Sequence, residues 1–223
     1  MPIDVTRIKN LLGDRVLIRP LARPEKRGGL FLASDTAKEK SKQQDLWWGV
    51  IENLGRDARY PDAYGLEVGD VVGVEFTGAH CETLAGSDGE DHCWVAEEFI
   101  ALKSTGRVEA WRESKGWAAM GENHGLIPVG SNVLVRPDAE EEKRGSVYVP
   151  MTARESQKLG TCLVTSEGSL AGDALAPLHV TKGSRVLFGR YSGQWAKLDE
   201  DLLVMKQEDV IAEFEDAKEP AHV

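Results

Sequence analysis

Two His-Cys dipeptides, His80-Cys81 and His92-Cys93, are the residues of this 223-residue chain best suited to chemistry. Two imidazoles and two thiolates suit a tetrahedral zinc ion. If the flanking segments pair as a hairpin, the dipeptides approach each other across the stretch holding Gly86 and Gly89. Adjacent residues on a strand point to opposite faces, so four ligands from two dipeptides need a bulge or turn. The spacing also matches no standard zinc pattern. Zinc on His80, Cys81, His92 and Cys93, a Cys81–Cys93 disulfide, and neither of these are the three readings. The expectation is neither, with no cofactor. Cys162 lies in a strand-like run and reads as a small core residue. A phosphate loop, a Gly-x-Ser-x-Gly elbow and a His-Glu-x-x-His helix are all missing from the sequence, so it does not read as an enzyme.

A second pattern carries binding chemistry. Arg23-Pro24-Glu25-Lys26-Arg27-Gly28-Gly29 is charged and glycine-rich, and an apolar triplet, Leu30-Phe31-Leu32, follows it. Glu140-Glu141-Glu142-Lys143-Arg144-Gly145-Ser146 precedes Val147-Tyr148-Val149 in the same way. Charged, glycine-rich segments cannot bury themselves, so both are expected to be mobile, with Gly28, Gly29 and Gly145 supplying the freedom. An apolar triplet on such a tether suits a hydrophobic groove on a partner. It also suits a plain barrel strand after a turn.

These loops sit at one offset within an internal duplication. Gly13-Asp14-Arg15-Val16-Leu17-Ile18-Arg19-Pro20 matches Gly130-Ser131-Asn132-Val133-Leu134-Val135-Arg136-Pro137. Thr36-Ala37-Lys38-Glu39 matches Thr152-Ala153-Arg154-Glu155, and Val68-Gly69-Asp70 matches Lys182-Gly183-Ser184. Glu97-Glu98-Phe99-Ile100-Ala101 is set against Glu208-Asp209-Val210-Ile211-Ala212. Blocks recurring in one order mark a repeat. The expected division is a first domain at 1–104, a linker at 105–128, a second domain at 129–216 and a tail at 217–223. Arg107 to Glu113 reads as a short helix, and Trp111 and Trp117 as packing back onto a barrel. Short branched runs such as Val16-Leu17-Ile18, Val71-Val72-Gly73-Val74 and Val186-Leu187-Phe188 predict short strands. The expected fold class is all-β, two small barrels in tandem. No βαβ alternation appears, which argues against a nucleotide-binding α/β domain.

Composition agrees. Hydrophobic residues are 41% and charged residues 29%, an ordinary globular balance. The net charge of −10 disfavours nucleic acid and anionic membranes as partners. No apolar run reaches the ~20 residues that span a bilayer, and no signal or transit pattern opens the chain. A cytoplasmic protein is expected. The acidic runs Glu140-Glu141-Glu142 and Asp199-Glu200-Asp201 read as solvated loops.

Gly183-Ser184-Arg185-Val186-Leu187-Phe188-Gly189-Arg190-Tyr191-Ser192-Gly193 and Leu202 to Ala212 resemble the second half of a bacterial GroES-type co-chaperonin. Gly28-Gly29-Leu30-Phe31-Leu32 with Asp35 to Lys40 resembles that family's mobile loop and the strand after it. In its tandem form the chain resembles the chloroplast-style double co-chaperonins. The resemblance implies irregular β-barrels assembling into a dome-shaped ring. It implies a lid for a GroEL-type chaperonin, bound through Gly28 to Leu32 and Gly145, Val147, Tyr148 and Val149, with the nucleotide held by the partner. Each loop would bind weakly, because ordering it costs free energy, and a ring of loops would recover affinity through effective concentration. It places residues 55–65 and 167–175 at the roof, with Tyr60, Tyr64 and Tyr191 as candidate cavity residues, though a solvated turn fits residues 55–65 as well.

The resemblance has gaps. Ser146 and Tyr148 are unusual in the second loop. Gln43 to Trp48 reads as an extra segment in the first copy, and Phe76 to Glu97 matches poorly. A homo-oligomeric ring, alone or mixed with a single-domain co-chaperonin, is expected. The rival is a GroES-like structural module that does not act on a chaperonin, since fold does not fix function. A zinc-dependent dehydrogenase fails because no dinucleotide-binding half follows.

Overall fold

Branched residues fit a pleated surface, and Gly, Asp and Pro end each run, so the chain breaks into short strands. The computed structural model describes residues 8, 11–21, 26–27, 30–31, 46–75, 82–85, 91–107, 125–138, 143–144, 147–148, 157–196 and 202–214. The first half carries β1 (Arg15–Pro20), β2 (Lys26–Arg27), β3 (Leu30–Phe31), β4 (Trp47–Leu54), the helix α1 (Tyr60–Tyr64), β5 (Asp70–Val74), β6 (Glu82–Ala85), β7 (Asp91–Ala96) and β8 (Ile100–Arg107). The second carries β9 (Leu126–Pro128), β10 (Asn132–Pro137), β11 (Lys143–Arg144), β12 (Val147–Tyr148), β13 (Gln157–Thr165), β14 (Ser169–Ala171), β15 (Ala174–Ala176), β16 (Arg185–Gly189), β17 (Gln194–Trp195), β18 (Leu203–Lys206) and β19 (Val210–Phe214). The all-β reading holds.

Two sheets dominate, ordered β6-β7-β1-β4-β5-β8-β9 and β17-β18-β10-β13-β16-β19. Without β9 the two orders correspond strand for strand. Their irregularities correspond too. A register shift between Leu17 and Ile18 recurs between Leu134 and Val135, and one between Gly73 and Val74 recurs between Leu187 and Phe188. Such bulges bend a strand, which suits sheets that curl into small barrels. Gly69 (φ 96°) and Gly183 (φ 89°) make the matching turns, and each N–H donates across at 2.7 Å, to the carbonyls of Ile51 and Cys162. Gly49 and Gly160 answer a close approach instead. A Cβ on Gly160 would lie 2.7 Å from the Arg136 carbonyl oxygen, and one on Gly49 would fall on Ile18.

Side-chain parity sets two barrel cores. Val16, Ile18, Ile51, Val72, Cys93 and Val95 fill the first, and Val133, Val135, Cys162, Val186, Phe188 and Met205 the second. Burial pushes the Cys162 thiol up to about 11.

The structure corrects several expectations. Ile100 pairs with Val74 as Val210 pairs with Phe188, so Ile100 corresponds to Val210, one residue from the sequence match. The 3-10 turns Glu97–Phe99 and Gln207–Asp209 set this register, whereas the sequence match was drawn to a shared Ile-Ala. Trp47 and Trp48 are not extra, because they open β4 where Lys158 and Leu159 lie in β13. The poorly matching stretch forms β6 and β7, the counterparts of β17 and β18. Residues 60–64 are a short helix where a turn or hairpin was expected, with Pro61 in its first turn. Arg107 ends β8 rather than starting a helix, and residues 126–128 form β9. Trp111, Trp117, Asp199, Glu200 and Asp201 lie outside the described residues, as do Glu140, Glu141 and Glu142.

Candidate interaction surfaces

The two loops anticipated as binding elements are hairpins in one register. β2 pairs with β3 through Lys26–Phe31 and Arg27–Leu30, and β11 pairs with β12 through Lys143–Tyr148 and Arg144–Val147. Leu30, Phe31, Val147 and Tyr148 are thus backbone-paired at equivalent places in the two halves. Gly28, Gly29, Leu32, Gly145 and Val149 lie outside the described residues.

The His-Cys pairs are placed only in part. β6 and β7 do form a hairpin, but its register sets Thr83 opposite Cys93 and Leu84 opposite His92. Cys93 packs in the first core, while His92, on the other face, is fully buried. Its Nδ1 lies 2.8 Å from Glu52 Oε2, and Arg19 Nε donates to Glu52 Oε1 at 2.7 Å. His80 and Cys81 lie outside the described residues. Among the described residues no three His, Cys, Asp or Glu side chains converge on a metal-sized site.

A larger feature went unread in the sequence: the two halves share an apolar junction. Leu46, Ala101 and Leu102 from the first half meet Leu126, Leu134, Ala196, Leu202 and Val204 from the second, with Trp48 and Leu163 at the margin. β8 pairs with β9 there, through Leu102–Pro128, Lys103–Ile127 and Ser104–Leu126. The Leu46 N–H donates to the Trp195 carbonyl at 3.0 Å, and Trp48 Nε1 donates to that of Ala196 at 3.3 Å. Leu134, Leu202 and Val204 occupy the strand parity opposite to the barrel core, which only the pairing register reveals.

Two of the candidate roof residues, Tyr60 and Tyr64, pack against the first core. Tyr64 donates its hydroxyl to the Gly168 carbonyl at 2.8 Å, and Arg59 Nη1 donates to that of Gly172 at 2.8 Å. These bonds tie α1 to the hairpin β14–β15. Tyr60 and Tyr64 stack edge to face, 4.9 Å between centroids. Burial above all pushes Tyr60 up to about 12, and raises Tyr64 as well. Glu97 Oε2 accepts the backbone N–H groups of Arg59 and Tyr60, both at 2.7 Å, at the start of α1. Tyr191 is exposed, with the Arg190 guanidinium 5.9 Å from its ring centroid. Glu75, in the first half, is raised by burial, with Lys206 of the second half lowering it in part.

Residues 125–214 match the family model described as the chaperonin 10 kDa subunit. Co-chaperonin GroES of Hyphomonas neptunium is 42% identical over 89 residues, spanning 39% of this chain and 93% of that protein. The chain belongs to the GroES family. Co-chaperonin GroES of Zymomonas mobilis is 41% identical over 87 residues, 38% of this chain and 92% of that protein. Co-chaperonin GroES 5 of Rhizobium meliloti is 38% identical over 91 residues, 40% of this chain and 88% of that protein. GroES proteins are not enzymes. The segment matched by the family model covers β9 to β19.

Proposed function

We propose that this chain is a tandem co-chaperonin, with GroES-like units at 1–104 and 129–216, that caps a GroEL-type chaperonin ring and assists folding inside it. The observation that carries this is the repeated hairpin: β2–β3 and β11–β12 recur in one register, at one offset, on sheets of one strand order. GroES membership brings a GroEL-type partner and a heptameric ring as the family's arrangement. The contact residues are Gly28 to Leu32 in the first loop and Gly145, Val147, Tyr148 and Val149 in the second. Ordering each loop costs free energy, so a single loop binds weakly and the ring binds through several at once. Weak single contacts also permit release. The chain needs no cofactor of its own, because nucleotide is held by the chaperonin, and it works in the cytoplasm. Among the described residues no helix is long and apolar enough to cross a membrane.

The test is size-exclusion or co-sedimentation with a GroEL-type chaperonin, with and without ATP or ADP. A variant changing Leu30, Phe31, Leu32, Val147, Tyr148 and Val149 to serine runs beside the natural chain. Nucleotide-dependent co-migration that the variant loses is the expected result. Absence of binding in every nucleotide state overturns the lid reading and leaves a GroES-like structural module.

A further inference from the structure

The helix α1 and the hairpin β14–β15 stand at the same place in the two halves, α1 between β4 and β5, the hairpin between the matching β13 and β16. They differ in what supports them. The hairpin is a two-stranded sheet of its own, paired as Ser169–Ala176, Leu170–Leu175 and Ala171–Ala174. None of these six residues is buried, and none belongs to a hydrophobic core. A two-stranded hairpin with no core beneath it is marginally stable at best.

Its ties come largely from the other half. The Tyr64 hydroxyl donates to the Gly168 carbonyl at the base, and the Leu170 backbone hydrogen-bonds the same hydroxyl. Arg59 Nη1 donates to the Gly172 carbonyl at the tip, where the chain turns back at φ 64°. Within its own half, Ser166 Oγ lies 3.3 Å from the Gly168 nitrogen and oxygen, again at the base. The grip at the tip is therefore that of α1.

The helix itself is fixed from its own side. The N–H groups of Arg59 and Tyr60 end on Glu97, and Lys103 Nζ donates to the Gly65 carbonyl at the opposite end. Opposite charges thus close the two ends of α1 in the favourable sense. Asp70 holds Lys103 in turn at 2.9 Å, and Tyr60 and Tyr64 pack on the first core.

We propose that α1 is a clamp by which the first half, with no hairpin of its own at this place, keeps the hairpin β14–β15 of the second half folded. The hairpin opens when the clamp lets go, while the barrel beneath it stays intact. Each hydrogen bond contributes modestly, so the clamp is weak enough to open and the hairpin is a two-state element. Glu97 is a positioning residue, acting on the hairpin through α1. The clamp goes beyond the co-chaperonin reading and does not depend on it.

Amide hydrogen exchange of the full chain without chaperonin, read residue by residue by NMR, tests this. Arg59→Ala with Tyr64→Phe removes both grips and is expected to speed exchange at residues 169–171 and 174–176 roughly tenfold. Amides of β13 and β16 are expected to keep the natural rate. So are those of Ala63 and Leu66, which donate to the Arg59 and Pro61 carbonyls. Glu97→Ala strips α1 of its acceptor and is expected to speed the same hairpin amides, whereas Glu97→Gln keeps an acceptor and leaves them slow. Tyr64→Phe alone keeps its ring on the first core and carries the test if a larger change unfolds the chain, with roughly threefold faster exchange expected. Unchanged hairpin exchange in the folded Tyr64 variants overturns the proposal. So does faster exchange of Ala63 and Leu66 in the double variant, which would make the hairpin the support of α1. Hairpin amides that stay slow in folded Glu97→Ala overturn the positioning role.

Discussion

Glu97 shows how one residue ties a fold together and loads it with a pH dependence. It is 4% exposed, and two backbone N–H groups of α1 end on its carboxylate. Burial raises its pKa above the ordinary carboxyl value, partly offset by the bonds from Tyr60 and Arg59. The folded chain therefore binds more protons here than the unfolded chain does. Stability from this group is full below the unfolded value and falls as pH rises through the folded one. Gln207, its counterpart, accepts the His179 N–H at 3.0 Å through a neutral amide. Glu97→Gln should keep the acceptor and shed the burial cost. The difference in Tm between variant and natural chain, followed from about pH 4 to about pH 8, should move in favour of the variant as pH rises. A large loss at neutral pH would show instead that α1 needs the negative charge at its first N–H groups.

Among the elements, β8, β9 and the strands facing them decide whether the halves unfold together. Leu134 is fully buried at the junction and lies outside both barrel cores. Leu134→Ala should cost about 2–5 kcal/mol, as buried leucine truncations do. Because the damage falls between the barrels, calorimetry should show one unfolding transition separating into two. A single, uniformly lowered transition would place Leu134 in a common core instead. Much of this level was legible in the sequence. Branched runs with Gly and Asp punctuation announced the strands, and the shared Gly-x-x-Val-Leu blocks announced the duplication. The junction was not legible, because a leucine facing out of a barrel reads the same as one facing in until the pairing register is known. The helix α1 was missed because its five residues, opening on Tyr-Pro, carry too short a pattern to separate from a turn. The His-Cys hairpin was legible as a hairpin, but only its register could show Thr83 and Leu84 opposite Cys93 and His92.

For the whole molecule, the proposed two-unit chain would have to meet a partner whose lid is heptameric in the family. A ring built from whole two-unit chains alone has an even number of units. Seven seats therefore cannot be matched unit for unit by such chains alone. One unit stays idle, or a single-domain co-chaperonin completes the ring. Native mass spectrometry of the chaperonin complex separates these outcomes, because the chain weighs 24.5 kDa and a single-domain subunit differs clearly from it. With this chain alone, the lid mass should be four chains, leaving one hairpin unprotected against proteolysis. With a single-domain subunit added, a lid of three chains and one small subunit should displace it, since that lid fills every seat. A lid of seven chains would mean that only one half of each chain enters the ring.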